Sequence, residues 1–194
     1  MHRQVKGYYE LANEYHIAAV TLCANIIDAP YLYNPISYLL RHTTELLLKG
    51  LIIKELRKEN KKLIISSVKI GSCKLDNAHS LLYLWEYYKS FIDLHGILIN
   101  KEEIKLIDKT IKKIDLKDFS STRYRYPFDK KGKSMDVMPV DIYTGTKAPD
   151  FELGIPSIIQ FGDQVGIVEK GSSLLKLNQE LLEVVELLFV LIES

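Results

Sequence analysis

The sequence has few cysteines and no long apolar run. Only two cysteines, Cys23 and Cys73, occur among its 194 residues, which excludes a disulfide framework and a cysteine-based zinc site. No apolar run approaches the roughly 20 residues that a bilayer span needs, and the first residues lack the apolar core of a signal peptide. We therefore expect a cytoplasmic protein that makes no membrane contact.

Signature motifs of cofactor and metal enzymes are also missing. The sequence contains no phosphate-binding glycine loop, no H-E-x-x-H, no C-x-x-C and no nucleophile elbow, so we predict neither a cofactor nor a metal. The net charge of +1 provides no overall attraction to nucleic acid. The charge is uneven, however, because residues 101–133 carry 11 basic and 6 acidic residues and residues 134–194 carry 3 and 10. A local basic face that binds a polyanion is therefore compatible with a neutral chain.

Helical periodicity dominates what is present. Apolar residues make up 47% of the chain, enough for one domain over residues 1–194, and they recur every three to four positions in five segments. The predicted helices run from Val5 to about Asp28, from Asn34-Pro35 to about Leu56, from a cap at Asp76 or Asn77, from Asn100, and from Ser172 or Ser173. We predict an all-α fold, an up-down bundle of about five helices.

The exception to this pattern is residues 117–171, which hold four of the six prolines. A structureless loop of that length is improbable in a compact domain. Two apolar groups could form short strands there: Val137, Val140 and Ile142, then Ile158, Ile159 and Phe161. We predict an irregular insert with a small β-hairpin before the last helix, and one short strand within residues 63–70.

Polar residues on the second predicted helix are the first candidates for chemistry. Arg41, Glu45 and Lys49 are spaced four apart and share one helix face, with His42 beside them. One interpretation is an exposed charge ladder worth a few tenths of a kcal/mol per pair. The other follows from the many leucines of this helix, which favour partly buried polar groups that need partners. Glu45 and Lys49 would then be structural, and Arg41 and His42 candidate catalytic residues.

His79 is the second candidate. It is predicted to lie in the first turn of the third helix, where the helix dipole disfavours a positive imidazole. A neutral imidazole could act as a base or an acceptor; the alternative is a histidine that bonds another helix and fixes the docking angle. Asp76 and His79 also resemble half of a metal site, but no second pair completes it.

The most distinctive segment lies just beyond the basic fourth helix. Arg123 and Arg125 alternate with Tyr124 and Tyr126, and Lys130 and Lys131 follow. In an extended chain, alternation places the arginines on one side and the tyrosines on the other. Arginine binds phosphate in a bidentate manner and tyrosine stacks on bases. Alternatively, the tyrosines attach the insert to the bundle and the arginines pair with acidic helix positions.

Three segments together resemble the HEPN superfamily (higher eukaryotes and prokaryotes nucleotide-binding domains), in the branches found with bacterial toxins and phage defence. They are the leucine-rich residues 39–51, the helix start at His79-Ser80-Leu81, and Arg123-Tyr124-Arg125-Tyr126-Pro127. The resemblance covers roughly residues 35–129. It implies a helical bundle that forms a homodimer and, in many members, a metal-independent ribonuclease in which four to six residues separate an Arg from the His that follows it. No histidine of this sequence has an arginine at that distance.

Two functional hypotheses follow. In the first, the protein binds RNA or a nucleotide and cleaves RNA as an endoribonuclease effector of bacterial defence or toxin–antitoxin systems. Its site would combine His42 or His79 with Arg41, Arg123 or Arg125 from different segments, because metal-free cleavage needs a base, an acid and a cation. In the second, the protein is a non-catalytic interaction module that dimerises and recruits a partner such as a cognate antitoxin or effector subunit.

Overall fold

The structure, a computed structural model, describes residues 3–23, 33–118, 141–144, 157–161, 164–168 and 173–193. These residues contain five α-helices, and the predicted all-α bundle with an insert before the last helix is confirmed. The helices are α1 (Arg3–Cys23), α2 (Tyr33–Glu59), α3 (Leu81–His95), α4 (Lys101–Asp118) and α5 (Ser173–Glu193). The predicted end of the first helix near Asp28 lies outside the described residues.

Helix α2 lies at the centre of the bundle. It packs against α1, α3 and α5, while α4 packs against α3 and α5. Its central position explains why apolar residues cover so much of its circumference, since a helix with neighbours on several sides is buried on several faces. Fully buried residues of α2 include Leu40, Leu47, Leu48, Leu51, Ile52 and Ile53. Any polar residue in the middle of this helix must therefore find its partner inside the protein.

Helices α2 and α3 run in the same direction. Glu45 of α2 contacts His79 just before α3 begins, and Glu55, ten residues further along α2, contacts His95 at the end of α3. Strict up-down alternation is therefore interrupted between these two helices. The connector over residues 60–80 returns the chain to the level of the middle of α2, where His79 meets Glu45.

The start of α3 differs from the prediction. Asp76 and Asn77 belong to a short 3-10 helix (Leu75–Asn77), and the N-cap of α3 is Ser80, whose hydroxyl accepts from the Tyr83 N–H. The carboxylate of Asp115 in α4 accepts hydrogen bonds from the Ser80 hydroxyl, at Oδ2, and from the Leu81 N–H, at Oδ1, each at 2.8 Å. The cap prediction at Asp76 or Asn77 was wrong because α3 begins later, after Ser80, and the Ser80 hydroxyl and the Asp115 carboxylate satisfy its free N–H groups.

Three other helix boundaries follow local rules. Asn100 and Glu103 form the predicted capping box, each side chain accepting from the other's backbone N–H at 2.9 Å. Pro35 lies in the first turn of α2, where its missing N–H costs nothing. Gly96 ends α3 with φ of 62°, a left-handed conformation that favours glycine.

Two small β-structures flank the helices. In the connector, β1 (Lys69–Ile70) and β2 (Cys73–Lys74) form a minimal antiparallel hairpin that follows a 3-10 turn, Ile65–Ser67. Before α5, β4 (Ser157–Phe161) pairs antiparallel with β5 (Gln164–Val168), so a hairpin in the insert is confirmed, although β5 was not among the predicted strands. The strand β3 (Asp141–Thr144) adds to β4 in parallel. Val137 and Val140 lie outside the described residues.

Candidate active site

The stripe of Arg41, Glu45 and Lys49 on α2 is buried. Arg41 Nη1 donates to Glu45 Oε2 at 2.9 Å, and Lys49 Nζ donates to Glu45 Oε1 at 3.0 Å. The interpretation as an exposed charge ladder is therefore wrong, because α2 lies at the centre of the bundle and has no free face here. The two cations and the carboxylate form one buried network. Each charge is compensated by the others, so the loss of one group leaves an uncompensated charge inside the protein.

The two cations also hold the segment that precedes α3. Lys49 Nζ donates to the backbone oxygen of Asp76 at 3.0 Å, and Arg41 Nη2 donates to the backbone oxygen of His79. Both carbonyl groups precede α3 and so lie outside its regular hydrogen bonds, and the side chains of α2 supply their partners. The network therefore sets the position of residues 76–79 relative to α2.

Opposing influences act on the Glu45 carboxyl. Desolvation by burial raises its pKa, while Lys49, Arg41 and His79 lower it through charge, and Lys49 also through its hydrogen bond. The cations prevail and the pKa of Glu45 lies below its ordinary value of 4.5. Glu45 is therefore an ionised carboxylate at neutral pH.

His79 lies against this carboxylate and is open to solvent. Its Nδ1 is 3.0 Å from Glu45 Oε1, and 44% of its side chain is exposed. The residue precedes the N-cap Ser80, so the predicted place in the first helical turn was wrong. The dipole argument therefore does not apply to His79, because the residue lies outside the first turn of α3. A carboxylate bound at one ring nitrogen orients the imidazole and leaves the other nitrogen, Nε2, for proton transfer.

Tyr8 of α1 completes the surroundings of residues 76–79. Its hydroxyl donates to Asp76 Oδ1 at 3.1 Å. The pKa of Tyr8 is raised, first by burial and then by the charge of Asp76 and its hydrogen bond. In sequence, Tyr8 falls on the apolar periodicity of the first helix, which gives no sign of this polar contact. Only the packing of α1 beside the 3-10 helix reveals that contact.

His42 lies in different surroundings. Its ring contacts Tyr15 of α1 edge-on, with centroids 4.8 Å apart, and stacks on Tyr38 at 5.7 Å with an interplanar angle of 10°. Although His42 follows Arg41 in sequence, consecutive helix positions point about 100° apart. The structure thus brings together Arg41, Glu45, Lys49 and His79 and gives His42 an aromatic environment instead.

The arginine- and tyrosine-containing segment cannot be compared with this cluster. Arg123, Tyr124, Arg125, Tyr126, Lys130 and Lys131 all lie outside the described residues. Their predicted roles in binding phosphate and bases stay predictions.

A second glutamate–histidine pair lies at the other end of α3. His95 Nδ1 is 2.6 Å from Glu55 Oε2, and Glu59 Oε1 is 3.3 Å from Nε2. Only 15% of the His95 side chain is exposed, and both ring nitrogens face carboxylates. His95 therefore links α3 to α2, whereas His79 has one nitrogen directed away from its glutamate.

Comparison with protein-family models, with curated proteins and with solved structures finds no match for this chain. Within the described residues, no group of three or more His, Cys, Asp or Glu side chains is arranged to hold a metal ion. Among the same residues, no helix combines the length and the hydropathy that crossing a bilayer requires.

Proposed function

We propose that this protein is a HEPN-like RNA-binding protein and a metal-independent endoribonuclease, with His79 as the residue that transfers protons. The observation that carries the proposal is an exposed imidazole whose Nδ1 is held 3.0 Å from a buried, ionised carboxylate. The resemblance of residues 35–129 to HEPN domains, found with bacterial toxins and defence systems, supports the choice of RNA.

The chemistry needs proton transfer and charge stabilisation only. A base removes the proton of a ribose 2′-hydroxyl, the 2′-oxygen attacks the adjacent phosphorus, and the bond to the 5′-oxygen breaks as an acid protonates it. The products are a 2′,3′-cyclic phosphate and a free 5′-hydroxyl. In a homodimer, His79 of each protomer could supply one of the two roles. Arg123 and Arg125 would stabilise the charge on the phosphorane oxygens.

Arg41 has a different role in this proposal from the one expected of it. Its side chain is fully buried, and its guanidinium already donates to Glu45 and to the backbone of His79. Arg41 therefore positions His79 and leaves contact with phosphate to other residues. Glu45 and Lys49 are positioning residues in the same sense.

The decisive experiment is incubation of labelled RNA with the purified protein in EDTA. We expect cleavage by the wild type to resist the chelator and to fall by about 10²–10⁴ in His79→Ala, the usual range for loss of an acid or base. His95→Gln is the matched control, because it also alters a histidine bonded to a glutamate of α2 but one that is largely buried. Partial recovery of His79→Ala by added imidazole would identify a role in proton transfer, which a structural defect would not show.

Two results would contradict the assignment. If His79→Ala cleaves RNA as fast as the wild type, His79 has no part in the mechanism. If the double variant Arg123→Ala, Arg125→Ala binds and cleaves RNA as the wild type does, the two arginines have no part in it. Cleavage of no tested RNA by the wild type would favour the second candidate function, a helical interaction module that dimerises and recruits a partner protein.

A further inference from the structure

We propose that the pocket between α1 and α2 binds a nucleobase of the RNA whose backbone is acted on at His79. This inference rests on the proposed function and adds to it a second subsite. The pocket has a volume of about 360 Å³ and is lined by Gly7, Tyr8 and Leu11 of α1, Leu46 of α2 and Ile65 of the connector. Its volume lies at the lower end of the range that small-molecule sites occupy.

The lining suits a planar ring. Four of the five lining residues have aliphatic side chains or none, and the fifth is an aromatic ring. Bases gain binding energy from apolar walls and from stacking on aromatic side chains, with little dependence on which base is bound. A ribose or a phosphate alone would find no charged group among these lining residues.

Tyr8 connects the pocket to His79. Its ring forms part of the pocket wall, while its hydroxyl donates to the Asp76 carboxylate at 3.1 Å. The backbone oxygen of Asp76 accepts from Lys49, and Lys49 bonds the same Glu45 oxygen that contacts His79. The pocket and the imidazole therefore share one hydrogen-bonded frame. A base in the pocket would contact Tyr8 and a sugar-phosphate would contact His79, which are the two ends of this frame.

Gly7 provides a direct way to fill the pocket. A Cβ atom placed on Gly7 would meet no atom within 4 Å, so a larger side chain can be added at this wall without a collision at its base. Glycine is also a poor helix former. In the middle of a helix it is less stable than alanine by roughly 0.5–1 kcal/mol, so replacing it does not weaken α1. Gly7→Leu is therefore expected to fold and to occupy part of the space that the base would use.

The experiment measures binding of the four nucleoside 5′-monophosphates by calorimetry, with ribose 5-phosphate as the probe that lacks a base. We expect at least one nucleotide to bind the wild type and ribose 5-phosphate to bind more weakly. Gly7→Leu should weaken nucleotide binding about tenfold, within the effect of removing one stacked base. Ala18→Leu, at an exposed position of the same helix, is the matched control and should bind as the wild type does.

Cleavage kinetics separate this inference from the proposed function. Gly7→Leu should raise KM for RNA and leave kcat within about twofold, whereas His79→Ala should lose kcat and still bind nucleotide. Equal nucleotide binding by the wild type and Gly7→Leu, or equal binding of ribose 5-phosphate and nucleotides, would overturn the pocket assignment even if RNA is cleaved. A third outcome separates the two proposals. If the wild type binds nucleotide but cleaves no RNA, and Gly7→Leu abolishes the binding, the subsite stands and the nuclease proposal is rejected.

Discussion

His79 Nδ1 lies 3.0 Å from Glu45 Oε1 although the two residues are 34 positions apart in sequence. The same oxygen accepts from Lys49, and the other oxygen of Glu45 accepts from Arg41. One carboxylate thus joins two buried cations and one solvent-exposed imidazole. This arrangement gives a fixed orientation to a side chain that would otherwise rotate freely at the surface, which is what a proton-transfer group requires.

Removal of the Glu45 charge should destabilise the fold. In Glu45→Gln the buried cations Arg41 and Lys49 keep their charge and lose their common anion. Breaking a buried ion pair in this way typically costs about 3–5 kcal/mol, and we expect a loss of that size in the free energy of unfolding measured with urea. Glu10→Gln, which removes the partner of Lys6 in an exposed pair, is the control and should change stability by about 1 kcal/mol or less. Equal losses in the two variants would refute the buried network.

Stability should also fall in acid because of Glu45. The pKa of Glu45 is lower in the folded protein than its ordinary value of 4.5, so the unfolded chain binds the proton more readily. The contribution of the ionised Glu45 to the free energy of unfolding is complete above pH 4.5, the ordinary pKa. It is lost as the pH falls through the lower pKa of the folded state. Urea unfolding between pH 6 and pH 3 measures this loss.

Other carboxyl groups contribute to the same acid transition, among them Asp108, whose pKa is also lowered. The informative quantity is therefore the difference between wild type and Glu45→Gln at each pH. We expect that difference to shrink below about pH 4.5, where the unfolded carboxyl is protonated. A difference that stays constant down to pH 3 would contradict the assignment of Glu45 as an ionised group.

The cap of α3 should depend on a residue from α4. Ser80→Ala removes a hydroxyl that accepts from Tyr83 and donates to Asp115, and we expect a loss of about 1–2 kcal/mol, typical of a lost N-cap. Asp115→Asn should cost a similar amount. Because the two side chains bond each other, a double-mutant cycle from urea unfolding should show coupling of about 0.5–3 kcal/mol. Ser90→Ala, whose hydroxyl bonds only its own helix at Tyr87, serves as the control, and additive effects of Ser80 and Asp115 would rule out the shared cap.

Two glycines should respond to alanine in opposite directions. Gly96 has φ of 62°, where a side chain costs about 1–2 kcal/mol, so Gly96→Ala should lower the melting temperature. Gly7 lies inside α1 with open space at its Cβ position, so Gly7→Ala should stabilise the protein by roughly 0.5–1 kcal/mol. Thermal unfolding followed by circular dichroism gives both values in one series. A stabilising Gly96→Ala would contradict the left-handed end of α3.

Local patterns sufficed for several elements. The Asn100 and Glu103 pair and Pro35 in the first turn of α2 each act within one helical turn, so the residues that form these boundaries are neighbours in sequence. Periodicity of apolar residues likewise predicted which face of each helix is buried. The contribution of Asp115 to the start of α3 could not be predicted in this way, since Asp115 lies 35 residues from Ser80.

The amino-acid sequence by itself determined five amphipathic helices, an insert before the last one, and a polar stripe of Arg41, Glu45 and Lys49 on one helix face. The tertiary structure decided that this stripe is buried, that it holds residues 76–79, and that His79 meets Glu45 while His42 meets Tyr15 and Tyr38. Helix periodicity records which residues share a face but carries no information about which other segment covers that face. The central position of α2, set by packing against three helices at once, is what turns a charge pattern into a candidate active site.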